Sequence, residues 1–253
     1  YFKRFDSFCF KKINILERVT ISKMSDILRC PIDGSKFVEK WVCEKGHKFT
    51  EKEGILDLLT EDIKTEKILD IVAPLYEPLY APIGMYITSG KSYSYIMRKA
   101  GDTISGANVL DIGTGPGKIF DYVKCESCIG LDVSFKFLKM LKKKRPKVFA
   151  VRGSALKLPL ADESIDGVSA MFVLHMLPSP LIATREINRV LKHGGKCVST
   201  ILTKNNSISN FLANIWKLNI YPIDYYLKMF EEIGFEMNYE KMGAWTFFTC
   251  AKP

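Results

Sequence analysis

The chain has 253 residues, 47% apolar and 26% charged, which suits one α/β domain of ordinary size with a small appendage. The longest uncharged apolar stretch of helical character, residues 168–178, is too short to cross a bilayer, so no stable membrane insertion is expected. The formal net charge of +9 suits association with nucleic acid or an anionic surface, or simply a solvated basic exterior.

Residues 1–23 are basic and aromatic without a helical period. They read as an N-terminal extension or a start-site artefact, with no apolar core of a secretory signal in the first ten residues. Seven cysteines in no regular framework then point to a reducing, cytoplasmic setting. Residues 24–60 form a small zinc-ribbon-like unit. A knuckle turn is expected at 28–34, a short strand at 40–42 and a second knuckle at 43–47, and residues 54–59 close the unit. Cys30, Asp33, Cys43 and His47 have the spacing C-x2-D and C-x3-H. That is either a metal set with one cysteine replaced, or a metal-free remnant held by Phe37, Trp41 and Phe49.

Residues 61–106 read as a helical connection and substrate-side cap. Residues 63–72 carry apolar positions at helical spacing. Pro74, Pro78 and Pro82 follow, interleaved with Tyr76, Tyr80 and Tyr86, and a helical pattern resumes at 92–100.

From 107 to 253 strands and helices alternate. Strands are expected at 108–112, 128–132, 147–151, 165–172 and 196–202. The helices between them fall at about 118–123, 134–144 and 178–191, the last stopped by His193-Gly194-Gly195. The lysine run 139–147 sits where a helix ends, where cations suit the helix dipole. A helix at 222–233 precedes two strands, 235–241 and 245–251, so the last strand enters antiparallel. The pair Cys125 and Cys128 reads as buried thiols beside a strand. The alternation predicts a mostly parallel sheet covered on both faces.

Residues 109–117 read Val-Leu-Asp-Ile-Gly-Thr-Gly-Pro-Gly at the end of a buried strand. A strand that turns sharply into a helix leaves free N–H groups, and glycines let a ligand approach them. The spacing is not G-x-G-x-x-G, because Lys118 holds the third position, and it is not a P-loop, because Ile119 follows that lysine. Asp111 is the more telling residue. A carboxylate there repels a pyrophosphate and suits a ligand bearing an ammonium. Asp132 ends the next strand, about 20 residues on, where an acid can accept both hydroxyls of a ribose. On its own it would equally cap the helix from Ser134.

These stretches, with Gly153–Pro159 and Arg185–Gly195, resemble the class I S-adenosylmethionine-dependent methyltransferases, in particular the ubiquinone and menaquinone methyltransferase-like (type 11) group. The resemblance covers about the central 90 residues. It implies a Rossmann-like, doubly wound, mostly parallel seven-stranded sheet with an antiparallel last strand, and S-adenosyl-L-methionine as cofactor. It also implies that Asp111, Ile112, Gly113, Thr114, Gly115 and Gly117 hold the methionine part, Asp132 the ribose, and Val133 the adenine face. The family usually has Gly-Asp-Ala after the third strand, whereas this chain has Gly153-Ser154-Ala155. Ser154 and Ala155 are therefore the expected adenine-amino contacts, with more weight on backbone. Met171 and Phe172 leave the fourth strand where the methyl sulfonium belongs, or simply pack the core. The N-terminal unit resembles the zinc module of some ribosomal RNA guanine methyltransferases at Cys30, Cys43 and His47, and departs at Asp33.

Methyl transfer from a sulfonium is an in-line displacement that asks mainly for orientation and exclusion of water. His175 is the candidate base if the acceptor must lose a proton, or else a partly buried histidine without a catalytic role. Met171-Phe172-Val173-Leu174 stands where enzymes acting on exocyclic amines of bases carry Asn/Asp-Pro-Pro-Tyr/Phe. No Pro-Cys nucleophile for cytosine is present there either. Residues 207–221, with Phe211, Leu212, Ile215, Trp216 and Tyr221, are expected to join Tyr76, Tyr80 and Tyr86 as a lid over an apolar acceptor, or to form an extra helix on the core. A small-molecule acceptor is the first expectation. An RNA acceptor is the alternative, and the oligomeric state is open.

Overall fold

The computed structural model describes residues 23–61 and 75–253; the extension at 1–22, the expected helix at 63–72, Pro74 and the side chain of Tyr76 lie outside the described residues. The central sheet is built from β5 (Gly106–Ile112), β6 (Cys125–Asp132), β7 (Phe149–Arg152), β8 (Ile165–Met171), β9 (Leu191–Leu202), β10 (Glu236–Met242) and β11 (Trp245–Ala251). Its strands β7, β6, β5, β8 and β9 run parallel in that order. β11 lies antiparallel to β9 and to the edge strand β10, as the missing helix between the last two runs requires. Val109, Leu110 and Ile112 of β5 are all buried, as a central strand covered on both faces demands.

Helices α1 (Ala81–Ser89) and α2 (Tyr93–Ile104) precede the sheet. Helices α3 (Phe135–Lys144), α4 (Pro180–Val190), α5 (Ser207–Ile215) and α6 (Ile223–Glu232) connect its strands. Their starts are written locally. Ser92, Ser134 and Ser179 each accept an N–H of the first turn, and Asn206 with Ser209 forms a reciprocal capping box.

The N-terminal unit supplies β1 (Phe37–Glu39), β2 (Val42–Cys43), β3 (Thr50–Lys52) and β4 (Ile55–Asp57). The expected strand at 40–42 is instead a β1–β2 hairpin whose turn holds Trp41 at φ 59°. β4 pairs parallel to β7 and β3 pairs antiparallel to β4, so the seven expected strands become a nine-stranded sheet among the described residues. Leu28, Leu56 and Leu58 are 0%, 0% and 1% exposed and share one core with β5, β6 and β8. Burying each contributes about 2 kcal/mol.

Three local readings change. α4 ends at Val190 and β9 begins at once, so His193, Gly194 and Gly195 lie inside a strand rather than at a helix stop. Leu191 is drawn into register with Ile165, and the surplus residues before Lys196 are absorbed as an irregularity with Gly194 at φ 75°. Cys125 and Cys128 are not free thiols but are joined as a disulfide at the start of β6. The helix expected at 118–123 shrinks to a 3-10 turn, Lys118–Asp121.

Candidate active site

Strand order reverses at β5. From it the chain winds outward through β6 and β7 on one side, and then through β8 and β9 on the other. Such a switch point leaves a crevice at the carboxyl ends of the strands. The residues singled out in the sequence gather there. Asp111 and Ile112 end β5, Asp132 ends β6, Ser154 and Ala155 follow β7, and Met171 ends β8.

The turn after β5 takes a form that its glycines require. Gly113, Gly115 and Gly117 have φ of 62°, 52° and 82°, a region costly for other residues. A Cβ on Gly113 would stand 2.3 Å from Val173, and one on Gly117 2.1 Å from Leu141. At Gly115 the nearest atom is 3.8 Å away, so the backbone there is open to a ligand.

Asp111 is 4% exposed and accepts a hydrogen bond from the Ser169 hydroxyl at 2.6 Å. Burial pushes its carboxyl up to about 7, against the hydroxyls of Ser169 and Thr114, while the neighbouring Asp132 carboxylate adds to the rise. Thr114 lies near enough to favour the ionised form, but its buried hydroxyl makes no hydrogen bond of good geometry. Asp132 receives the Gly115 N–H at 2.9 Å and the Ser134 N–H at 2.8 Å, one on each oxygen. Two acids, an open glycine backbone and a buried threonine hydroxyl thus meet at the end of β5.

The adenine side is less open. The Ser154 hydroxyl accepts the Leu156 N–H at 3.2 Å, so part of its capacity closes its own turn. The Val133 carbonyl accepts from Arg152 Nε at 3.0 Å, and Arg152 also pairs with Asp57 of β4 at 3.0 Å. The N-terminal unit thus braces the loop that carries Val133.

Beyond the turn the wall is aromatic. Phe172 leaves β8 at φ 61°, a conformation held by packing on Trp245 at 5.2 Å and Tyr93 at 6.2 Å. His175 is 4% exposed, and its ring lies 5.4 Å from Trp245. Its Nδ1 accepts the Leu202 N–H at 3.4 Å, and burial lowers its pKa to about 3. Burial thus favours the neutral ring, which sits among packed aromatic side chains. The expected lid also divides. Leu212 and Trp216 pack inward, Tyr221 stacks on Tyr225 at 4.2 Å, and Phe211, Ile215, Tyr80 and Tyr86 face outward.

Arg145 and Ser169 escaped the sequence reading. Arg145 donates to the Pro116 carbonyl at 2.6 Å, and pairs with Asp121 at 2.8 Å and Glu77 at 2.9 Å. It ties the glycine turn to the segment before α1. Although burial opposes it, the Arg145 and Lys144 cations hold the Glu77 carboxyl below its ordinary range. The signal was present: Arg145 is the single arginine in a lysine run, and only a guanidinium fork serves three acceptors at once. Ser169 was legible as a lone hydroxyl within the apolar run of β8.

In the N-terminal unit the four expected ligands converge, with all donor atoms within 4.8 Å of one another. His47 Nδ1 lies 3.6 Å from Cys30 Sγ, 3.4 Å from Cys43 Sγ and 3.1 Å from Asp33 Oδ2. Asp33 Oδ2 makes no hydrogen bond. Burial raises the Cys30 thiol. Burial acts the same way on Cys43, but hydrogen bonds from Ser35 and from the His47 and Lys45 amides outweigh it and bring that thiol to about 7. Two thiols, an imidazole nitrogen and a spare carboxylate oxygen are the donor chemistry of a tetrahedral zinc site.

Residues 110–199 match the family model described as Methyltransferase domain. An uncharacterised protein of Methanocaldococcus jannaschii is 34% identical over 131 residues, which is 52% of this chain and 56% of that protein. The demethylmenaquinone methyltransferase of Renibacterium salmoninarum is 33% identical over 133 residues, 52% of this chain and 55% of that enzyme. The chain thus spans just over half the length of these relatives. A solved S-adenosylmethionine-dependent methyltransferase of Thermotoga maritima superposes with a TM-score of 0.58 at 17% identity, over 74% of this chain and 99% of that one. That likeness bears on the fold.

Proposed function

We propose that this chain, whose residues 110–199 match the family model described as Methyltransferase domain, is a class I S-adenosylmethionine-dependent methyltransferase that transfers a methyl group to a small, largely apolar acceptor. The observation that carries the reading is Asp111, a buried carboxyl with a raised pKa beside a second acid and an open glycine backbone. An ammonium entering the crevice stabilises the ionised form of Asp111 and relieves its repulsion with Asp132.

Asp111 and the backbone of Ile112, Gly113, Thr114, Gly115 and Gly117 would hold the methionine end of S-adenosylmethionine. Asp132 would take the ribose hydroxyls, and Val133, Ser154 and Ala155 the adenine. When bound, S-adenosylmethionine supplies a sulfonium-activated methyl group. Met171 and Phe172, backed by Trp245 and Tyr93, would form a dry wall that orients an apolar acceptor and excludes water. His175 keeps the neutral imidazole that braces this wall, so the residues here contribute positioning more than proton transfer. Cys30, Cys43, His47 and Asp33 would hold a structural zinc ion that fixes the N-terminal unit to the sheet edge.

An RNA acceptor, ribosomal or transfer, is the second reading. It draws on the net charge of +9 and on the cysteine cluster next to the catalytic fold. Incubation with cell extract and methyl-labelled cofactor separates the two. Label in the small-molecule and lipid fraction supports the first reading; label in RNA, together with salt-sensitive RNA binding, replaces it by the second.

A further inference from the structure

The outward half of the expected lid exposes large apolar side chains on two neighbouring helices. Ile83, Tyr86 and Ile87 of α1 are 51%, 66% and 69% exposed, and Phe211 and Ile215 of α5 are 63% and 56% exposed. Neither helix contains a charged residue. Both are seated on the β10–β11 turn. The Thr88 carbonyl accepts the Ala244 N–H at 2.9 Å and the Thr88 hydroxyl accepts from Trp245 Nε1 at 2.8 Å, while Asn206 Nδ2 donates to the Gly243 carbonyl at 3.2 Å. The two apolar faces therefore flank one turn, directly behind the Phe172–Trp245 wall. An apolar cavity of about 390 Å³, lined by Pro82, Ile83, Tyr86, Ile87 and Tyr93 with Ser92 and Ser94, opens on the α1 side.

Charge selects the occupant. No acidic residue occurs from 78 to 101 or from 187 to 223. Exposed lysines border the two helices: Lys91 past the end of α1, Lys204 before α5 and Lys217 after it. Among the described residues, the charged side chains that border these two helices along the chain are lysines, which fits the interface of an anionic membrane, where side chains such as Phe, Ile and Tyr enter the headgroup boundary and lysines meet lipid phosphates. A symmetric contact with a second copy would set this lysine rim against itself.

We propose that the outer faces of α1 and α5 dock this protein peripherally on an anionic lipid surface, with the Phe172–Trp245 wall behind the docked face. No described helix is long and apolar enough to cross a membrane, which is consistent with docking rather than insertion. The docking does not depend on the methyl-transfer reading, since it is measured without turnover.

The test is co-sedimentation of the full chain with vesicles of phosphatidylcholine alone, or of phosphatidylcholine and phosphatidylglycerol in equal parts. Binding to the mixed vesicles, weakened by added salt and much weaker on phosphatidylcholine, is expected. Lys217→Gln should lower the affinity about fivefold. The double variant Tyr86→Asp with Phe211→Asp should lower it by a factor of at least about ten. Both sites are exposed, so its melting temperature and its affinity for S-adenosylmethionine should match the parent and show that the fold is intact. Failure to sediment with the mixed vesicles overturns the proposal. So does equal sedimentation of parent and double variant, or a dimer in light scattering that Phe211→Asp dissolves.

Discussion

Replacing Asp111 by Asn removes a carboxyl that burial has pushed from an ordinary 3.8 to about 7. That is a roughly thousandfold change in ionisation constant, or about 4 kcal/mol at 1.4 kcal/mol per factor of ten. The sign follows from linkage. The unfolded chain ionises this group near pH 4 and the folded chain only near pH 7, so the group lowers stability progressively between those values and by a constant amount above them. Asparagine keeps an acceptor for Ser169 and carries no charge. Relaxation and water entry recover part of the cost, so the gain expected at pH 7.5 is about 2 kcal/mol, a rise in Tm of about 4–8 °C. The same variant should lose affinity for S-adenosylmethionine by about a hundredfold, because its ammonium no longer meets a buried carboxylate. Calorimetric melting and binding titration read the two effects. A variant that melts lower than the parent and binds the cofactor equally well would refute the reasoning.

Affinity for S-adenosylmethionine in the parent should fall about tenfold per pH unit below about 7, where Asp111 must give up a proton to pair, and titration of Asp111→Asn over the same range should be flat. Arg145→Lys should weaken cofactor binding about tenfold, since an ammonium cannot serve Pro116, Asp121 and Glu77 together; the same binding curve as the parent would remove Arg145 from the turn's support. Zinc should co-purify at one ion per chain, and chelation or Cys43→Ser should lower the melting temperature; metal analysis of the purified chain decides it. His175→Phe should leave the pH profile of methyl transfer unshifted while altering stability, and a lost acidic limb would identify His175 as a base.

The parts of this fold that could be read from the sequence are those whose cause is local. A strand ending in Asp111, glycines at left-handed positions and Asp132 at the next strand end all follow from side-chain periodicity and backbone sterics. What escaped depends on partners far along the chain. The Gly194-Gly195 pair reads as a helix stop, but pairing of Leu191 with Ile165 pulls it into β9. Nothing within residues 50–57 announces that this hairpin will extend the main sheet, because the signal lies in the open edge of β7. The cysteine spacing suggested ligands; only the fold of β1 and β2 brings Asp33 to His47. Aromatic content alone makes the lid a single face, and helical phase divides it. α5 turns Leu212 inward and Phe211 outward.

The reading stands or falls on whether the crevice at the end of β5 binds S-adenosylmethionine. Titration of the purified chain with that molecule by calorimetry should show one site per chain, displaced by the demethylated product and lost in a paired Asp111→Asn, Asp132→Asn variant. No heat and no competition with the folded parent would show that the crevice does not take this cofactor.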